Sequence, residues 1–449
     1  MKAPDSVAII GGGFSGALQA INLMRHDGPR AALIERRPQV GKGVAYSTSH
    51  PGHLLNVRAS NMSAFPDSPD HFIRWLADRG WADGGLFVPR ALYGEYLAEL
   101  VAEARRRAPD RLEVVYGEAV RADLDHGARI HLRGGRVVTA DNAVLAMGNL
   151  PPVVPDNLDL AAMGCHYIAD PWSPDLPRGL NRDDHVVIIG TGLTMVDVVL
   201  LLDARGFNGS ITAISRRGLL PRVQIDENPI GERLTDRPTG EVSELLKGLR
   251  HRSRLIGWRS AIDELRPFTQ SIWQAATPFQ QQRFLRHLRP WWDVHRHRLA
   301  PDVARRVASL QASGRLRIEA GRTLSFHSGR GGIEVTWRPR GAHEAKTLQA
   351  SRIVNCTGPQ SDVCRTTEPL LLDLLARGLA MPDPFGLGLS VDAQSRLLDR
   401  DGNATRFFAL GPMTRGTFWE ITAVPDIRVQ TWNVARYISN AHWVGGEGL

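Results

Sequence analysis

Residues 6–37 read SVAIIGGGFSGALQAINLMRHDGPRAALIERR. Val7 to Ile10 is a short unbroken apolar run, as a buried parallel strand requires. Gly11, Gly13 and Gly16 follow it directly as G-x-G-x-x-G. The first glycine permits a tight turn, the second lets backbone approach a pyrophosphate, and the third lets a helix lie close on the strand. That helix opens at Phe14 and Ser15, with its N–H groups and positive end turned to the phosphates. Ala31 to Ile34 is a second strand closed by Glu35, 24 residues after Gly11. An acid at about that spacing binds an adenosine ribose. Strand, glycine turn, helix, strand and acid together predict a dinucleotide site at Gly11, Gly13, Phe14, Ser15, Gly16 and Glu35.

The unit occurs twice. Residues 185–218, HVVIIGTGLTMVDVVLLLDARGFNGSITAISRRG, repeat strand, glycine turn, helix and strand, with Ser215 25 residues after Gly190. Gly190, Gly192, Leu193 and Thr194 take the turn and the helix start, but Met195 stands where the third glycine belongs. This helix is therefore expected to pack less closely on its strand. Ser215, Arg216 and Arg217 replace the acid. A basic end accommodates a 2′-phosphate that an acid repels, so the second unit is predicted to take NADPH over NADH. Two such units imply two nucleotides, and the economical chemistry is electron transfer from a nicotinamide to a retained flavin.

At 449 residues the chain exceeds one ordinary core and predicts two or three domains. Its 43% hydrophobic and 23% charged residues are ordinary for a soluble globular protein. No apolar run reaches membrane-spanning length. MKAPDSVAIIGGG enters the first strand without a signal-peptide pattern, so the expected location is the cytoplasm. Cys165, Cys356 and Cys364 form no C-x-x-C pair, which argues against a disulfide framework, a zinc site and a dithiol redox centre. No metal site is expected, since HRHR at 295–298 sets its histidines among cations. The net charge of +8 reads as an arginine-rich surface that also suits polyanionic dinucleotides, not as nucleic-acid binding.

FVPRALYGEYLAELVAEARRR reads as an amphipathic helix with Leu92, Tyr96, Leu97, Leu100 and Val101 on its apolar face. Residues 240–312 read as mostly helical and polar, with a basic run in which Trp291 and Trp292 are expected to pack underneath. VLAMGNLPPVVP and RIVNCTGP each end a buried strand on glycine and proline, at Gly148 and Gly358. The predicted fold class is α/β, with two Rossmann-like dinucleotide-binding domains of the three-layer ββα type and a helical insertion. Residues 1–160 and 350–449 form the first domain, and residues 161–349 the second, helical segment included.

Over nearly its whole length the chain resembles the two-dinucleotide-domain flavoproteins, whose first glycine motif is for FAD and second for NAD(P)H. LLNVRASNMSAFPDSPDHFIRWL, FVPRALYGEYL, GTGLTMVD, RPWWDVHRHR and RGTFWEITAVPDIRVQ together resemble the YdhS-like bacterial FAD/NAD(P)-binding family. That family is similar to the class B flavin monooxygenases. The resemblance implies FAD and NADPH as cofactors and oxygen transfer to nitrogen, sulfur or a carbonyl carbon. The Baeyer–Villiger fingerprint is incomplete: Gly164, His166 and Trp172 have different spacing and no leading phenylalanine. The implied activity is that of an N- or S-oxygenase acting on a small amine- or sulfur-containing substrate. Two alternatives stay open, a reductase passing electrons to a quinone or partner, and a sensor that holds both nucleotides without turnover. Arg36, beside Glu35, is placed to reach the adenine or phosphates. The resemblance also implies cofactor contacts at Arg90, Val120, Gly148, Gly358, Gly411, Trp419 and Ile421, with Asn56 beside the flavin ring. Pro412 replaces the acid that follows the matching glycine in that group. A helix beginning near Pro425 would aim its positive end at the flavin pyrimidine. His53, His166 and Glu420, with Asn56, are the catalytic candidates. Oligomeric state does not follow from these residues.

Overall fold

The computed structural model describes residues 4–48, 50–81, 87–125, 127–224, 234–329 and 332–440. The chain opens with β1 (Ser6–Ile10), α1 (Phe14–Arg25), β2 (Arg30–Glu35), α2 (His71–Ala77) and α3 (Arg90–Arg107). Strands β3 (Leu112–Tyr116), β4 (Ala119–Asp123), β5 (Ala128–Leu132), β6 (Val137–Ala140) and β7 (Asn142–Leu145) follow. Next come α4 (Leu160–Met163), β8 (Tyr167–Ile168), β9 (His185–Ile189), α5 (Leu193–Ala204) and β10 (Ser210–Ser215). Five helices succeed them: α6 (Val242–Leu265), α7 (Thr269–Ala275), α8 (Pro278–His287), α9 (Arg289–Arg296) and α10 (Pro301–Ala312). The last elements are β11 (Leu316–Gly329), β12 (Gly332–Pro339), β13 (Lys346–Ala350), β14 (Arg352–Asn355), α11 (Pro369–Ala376), β15 (Arg396–Leu398), β16 (Ala404–Ala409) and α12 (Val424–Ile438).

These elements form two units. The first comprises Met1–Ser49, Arg58–Leu150 and Gln360–Leu449, and the second His50–Val57 with Pro151–Pro359. The first unit holds a six-stranded sheet in the order β15-β16-β7-β1-β2-β3, parallel except for β15, and a separate antiparallel sheet β4-β5-β6. The second holds a seven-stranded sheet, β13-β12-β11-β10-β9-β14-β8, parallel from β11 to β8. Each sheet places its glycine-motif strand between a following strand and a late one, β2 and β7 around β1, β10 and β14 around β9. Strand order reverses there, and open α/β sheets bind ligands in the crevice at such a reversal. The α/β class and the two Rossmann-like units are thus as the sequence predicts.

Local burial follows the apolar pattern with instructive exceptions. On α3 it is Tyr93, rather than Leu92, that is fully buried alongside Tyr96, Leu97 and Leu100. Tyr93 packs edge-on against Phe72 and lies near Phe14, the first residue of α1. On α9 the expectation for the tryptophans holds for one only: Trp292 is buried, whereas Trp291 is 41% exposed. Adjacent helical residues point about 100° apart, so one faces the core when its neighbour does not. The long α6 carries a kink at Gly257, and Arg252 bridges it to the buried Glu264. Among the described residues no helix is long and apolar enough to cross a membrane.

Asp123, at the end of β4, fastens the small sheet to α11. It meets His131 at 2.8 Å, Arg121 at 2.9 Å and Arg377 at 3.0 Å. The His131 hydrogen bond, with Arg121 and Arg377, holds its carboxyl down to about 2. A carboxyl depressed on folding stabilises the fold above its unfolded pKa near 3.8, and that contribution is lost as pH falls toward 2. With these partners open to screening solvent, Asp123→Asn is expected to cost about 1 kcal/mol at pH 7 and clearly less at pH 2. Denaturant titrations at the two pH values check this, and an equal cost at both contradicts it.

Candidate functional site

In the first unit, β1 ends at Gly11, whose N–H donates to the Ile34 carbonyl at 2.8 Å, so the turn is bound to the neighbouring strand. Gly11 has φ +103, a conformation open to glycine, and a Cβ there would come within 2.5 Å of the Ala146 oxygen. Ala146 continues β7, and its N–H donates to the Ile10 carbonyl. A Cβ on Gly16 would overlap the Gly11 carbonyl. The first and third glycines are therefore demanded by protein backbone.

Gly13 is different. It caps α1 in extended conformation, with no side-chain cap and no acid in the first turn, so no side chain claims the helix's opening N–H donors. A Cβ on Gly13 would lie 3.3 Å from Gly43 Cα, and one on Gly43 3.1 Å from Gly13 Cα. Two backbones thus approach each other closely where neither carries a side chain. Gly41 holds this loop in place, its N–H donating to the Gly12 carbonyl at 2.7 Å. The uncapped N–H donors and the positive helix end suit a pyrophosphate.

Glu35 is buried at the end of β2. One carboxylate oxygen accepts the Gly12 N–H at 2.7 Å and the other accepts the Arg37 N–H at 2.8 Å. The acid is fixed beside the turn with acceptor capacity remaining for a ribose hydroxyl. Arg36 turns away to Glu368, at 2.8 Å. Arg90 opens α3, and Val120 is a half-buried position of β4. Gly148 follows β7 with φ +70 and open space where its Cβ would stand.

Gly411 follows β16 and lies against α1, a Cβ there falling 2.7 Å from Ser15 Oγ. Its N–H donates to Gln430 Oε1 at 2.8 Å. Gln430 Nε2 in turn donates to Ser395 Oγ and Thr414 Oγ1, both at 3.1 Å. Pro412 has neither an N–H nor a carboxylate, and this buried network on α12 holds the turn. Sequence reading missed Gln430; its position six residues into α12 was the available signal. Trp419 and Ile421 are buried, and the Arg415 guanidinium stacks over Trp419 at 4.5 Å. Glu420 is also buried, with φ +70, four residues before α12 begins.

The second unit repeats the plan. Gly190 N–H donates to the Ile214 carbonyl at 2.8 Å, and a Cβ on Gly190 would overlap the carbonyl of Cys356, the residue after β14. Gly192 caps α5 without a side-chain cap or an acid in the first turn, leaving the N–H groups of Leu193 and Thr194 facing outward from the helix start. No atom stands within 4 Å of a Cβ built there. Met195 is fully buried, so α5 makes room for a side chain where α1 has none. At the end of β10, Ser215 Oγ meets the Thr191 hydroxyl at 2.8 Å and accepts the Gly218 N–H at 3.1 Å. Arg216 is exposed and Arg217 half-buried. Gly358 repeats Gly148, with φ +92 and open space.

His50–Val57 belongs to this second unit, so His53 and Asn56 pack with a different unit from Gly11, Glu35 and Gly411. His53 is buried, its Nε2 3.0 Å from the Asp197 carbonyl on α5, with rings of His50 and Trp172 beside it. His166 Nδ1 lies 2.9 Å from the Ser351 carbonyl. Burial raises the Cys356 thiol well above its ordinary pKa.

Residues 8–150 match a family model described as FAD-NAD(P)-binding. No curated protein sequence matches the chain. Among solved structures, the ornithine hydroxylase of Pseudomonas aeruginosa is similar at 14% identity and TM-score 0.69, over 98% of this chain and 99% of that one. A cadaverine monooxygenase of Erwinia amylovora is similar at 12% identity and TM-score 0.69, over 98% and 95%. The bacillithiol disulfide reductase of Staphylococcus aureus follows at 14% identity and TM-score 0.57, over 98% of both chains. At these identities the likeness is one of fold.

Proposed function

We propose that the chain is an FAD-dependent, NADPH-using monooxygenase of a small amine- or sulfur-containing molecule, of the YdhS-like type. The observation that carries the reading is the contrast between two otherwise matching sites. One β-strand ends in a fixed acid, Glu35, and its counterpart ends in Ser215, Arg216 and Arg217. A carboxylate suits the free ribose of FAD, and guanidinium groups suit the 2′-phosphate of NADPH.

Gly11, Gly13 and Gly43, the first N–H groups of α1 and Glu35 would hold FAD; Gly190, Gly192, the first N–H groups of α5 and the basic end of β10 would hold NADPH. Bound FAD supplies electron storage and reaction with oxygen. The chain's own part is to bind the two phosphate chains at uncapped helix ends, orient the nucleotides through Glu35 and Arg217, and place the buried Trp419–Ile421 turn ahead of α12. The likeness to amine-hydroxylating enzymes favours nitrogen as the oxidised atom. A disulfide reductase, the other kind of neighbour, is disfavoured by the lack of any C-x-x-C pair.

Purified protein reduced anaerobically with NADPH and mixed with oxygen in the presence of ornithine, lysine, cadaverine or a thioether tests the reading. The expected result is NADPH oxidation that one of these compounds accelerates, with a hydroxylamine or sulfoxide formed. NADPH consumption matched by hydrogen peroxide with every compound means a reductase. Tight binding of both nucleotides without flavin reduction means a sensor.

A further inference from the structure

The exposed Trp291 is not an idle surface residue. The guanidinium of Arg217 lies over its ring, 6.0 Å from the centroid. The chain leaving β10 is stitched to the same helix three residues further on, where Arg222 N–H donates to the Val294 carbonyl at 2.9 Å. Leu299 N–H returns a bond to the Arg222 carbonyl at 2.8 Å, and Gln224 N–H donates to the Leu299 carbonyl at 2.8 Å. The other end of this segment is held by Ser215 Oγ and by the Thr191 hydroxyl, which donates to the Leu219 carbonyl at 2.6 Å. Thr191 stands between the two glycines of the nucleotide turn, so the turn, the basic end of β10 and α9 form one bonded assembly.

His295 is four residues after Trp291 and therefore on the same face of α9. It stacks on Trp258 at 5.7 Å, and burial followed by the Arg222, Arg298 and Arg259 charges lowers its pKa. Of these arginines, Arg298 is paired with Asp263. Arg217 and Arg222 have no carboxylate partner among the described residues. Arg217 over Trp291, and Arg222 bonded through its backbone to Val294, bring to α9 two arginines without a described carboxylate partner, a pairing suited to a phosphate monoester.

We infer that the helical insertion is part of the nucleotide site of the second unit, with Trp291 a positioning residue that holds the Arg217 guanidinium for the 2′-phosphate of NADP(H), and Arg222 a second cation for the same group. The inference rests on the proposed use of NADPH and names what selects it. A cation–π contact at a partly exposed site contributes a two- to fivefold effect in affinity.

The test is calorimetric titration of the FAD-loaded protein with NADP⁺, NAD⁺ and inorganic phosphate. The variants are Trp291→Ala, Trp291→Phe, Arg217→Ala, Arg222→Ala and the Trp291→Ala/Arg217→Ala double variant. Trp291→Ala is expected to weaken NADP⁺ about two- to fivefold and leave NAD⁺ unchanged, with Trp291→Phe restoring most of the loss. The double variant is expected to bind NADP⁺ no more weakly than Arg217→Ala alone, because the tryptophan acts only through the arginine. Arg222→Ala is expected to weaken NADP⁺ selectively as well. Equal weakening of both nucleotides by Trp291→Ala, or a loss that adds to that of Arg217→Ala, overturns the positioning role. Inorganic phosphate binding as tightly as NADP⁺ overturns the nucleotide assignment in favour of free phosphate. If Arg217→Ala leaves the NADP⁺ to NAD⁺ ratio unchanged, the NADPH reading itself fails, and that result is visible without any Trp291 variant.

Discussion

A Gly13→Val protein is expected to purify folded and colourless. Within the polypeptide the Cβ meets only Gly43, at 3.3 Å from its Cα, an approach that small backbone shifts absorb. The branched methyl groups then stand over the start of α1 and keep the pyrophosphate from its N–H donors. Gly16→Val provides the contrast. Its Cβ overlaps the Gly11 carbonyl, a backbone atom with nowhere to move, because Gly11 is bonded to Ile34 and pressed against Ala146. That variant is expected to lose about 3 kcal/mol or more of stability and flavin with it. Flavin absorbance and thermal unfolding of the two proteins separate the effects. A fully yellow Gly13→Val protein contradicts the assigned site, and an unfolded one shows that Gly13 serves packing.

Replacing Arg216 and Arg217 together by alanine is expected to raise the KM for NADPH about a hundredfold while leaving NADH nearly unchanged. Each charge-assisted contact to a phosphate contributes about 1.5–3 kcal/mol, so losing both removes roughly two orders of magnitude of affinity or more. The polypeptide itself loses little, since Arg216 is exposed and the only described partner of the Arg217 side chain is Trp291. The turn keeps its shape through Ser215 and Thr191. Initial rates with both cofactors, across ionic strength, provide the check. The preference is expected to fall toward unity in the double variant, with a weaker salt dependence than the parent. Equal effects on the two cofactors mean that the arginines act elsewhere than on the 2′-phosphate.

Both glycine turns, both flanking helices, Glu35 and the basic end of β10 were legible in the amino-acid sequence. They are local features: a turn, its helix and its strand are set by residues within about 30 positions, and period-two or period-3.6 patterns report them directly. The replacement of the third glycine by Met195 was legible for the same reason. So was the start of α12 near Pro425, because proline is favoured in the first turn of a helix.

Tertiary structure decided the rest. Gly11 and Gly190 are forced by Ala146 and Cys356, residues more than a hundred positions away that strand pairing brings alongside. The backbone close to Gly13 is that of Gly43, in a loop whose path is set by Gly41 against Gly12 and α3. His53 and Asn56 come after β2 in the chain, yet their segment packs with the second unit, where the Asp197 carbonyl receives His53. Trp291 and Trp292 have the same chemistry and adjacent positions, and only the packing of α9 determines that one fills the core and the other meets Arg217. The sequence by itself determined the two nucleotide units and the opposite charge at their ends, because those depend on short-range geometry. Which distant backbones and side chains complete each site was decided by the tertiary structure, because long-range register has no local period to betray it.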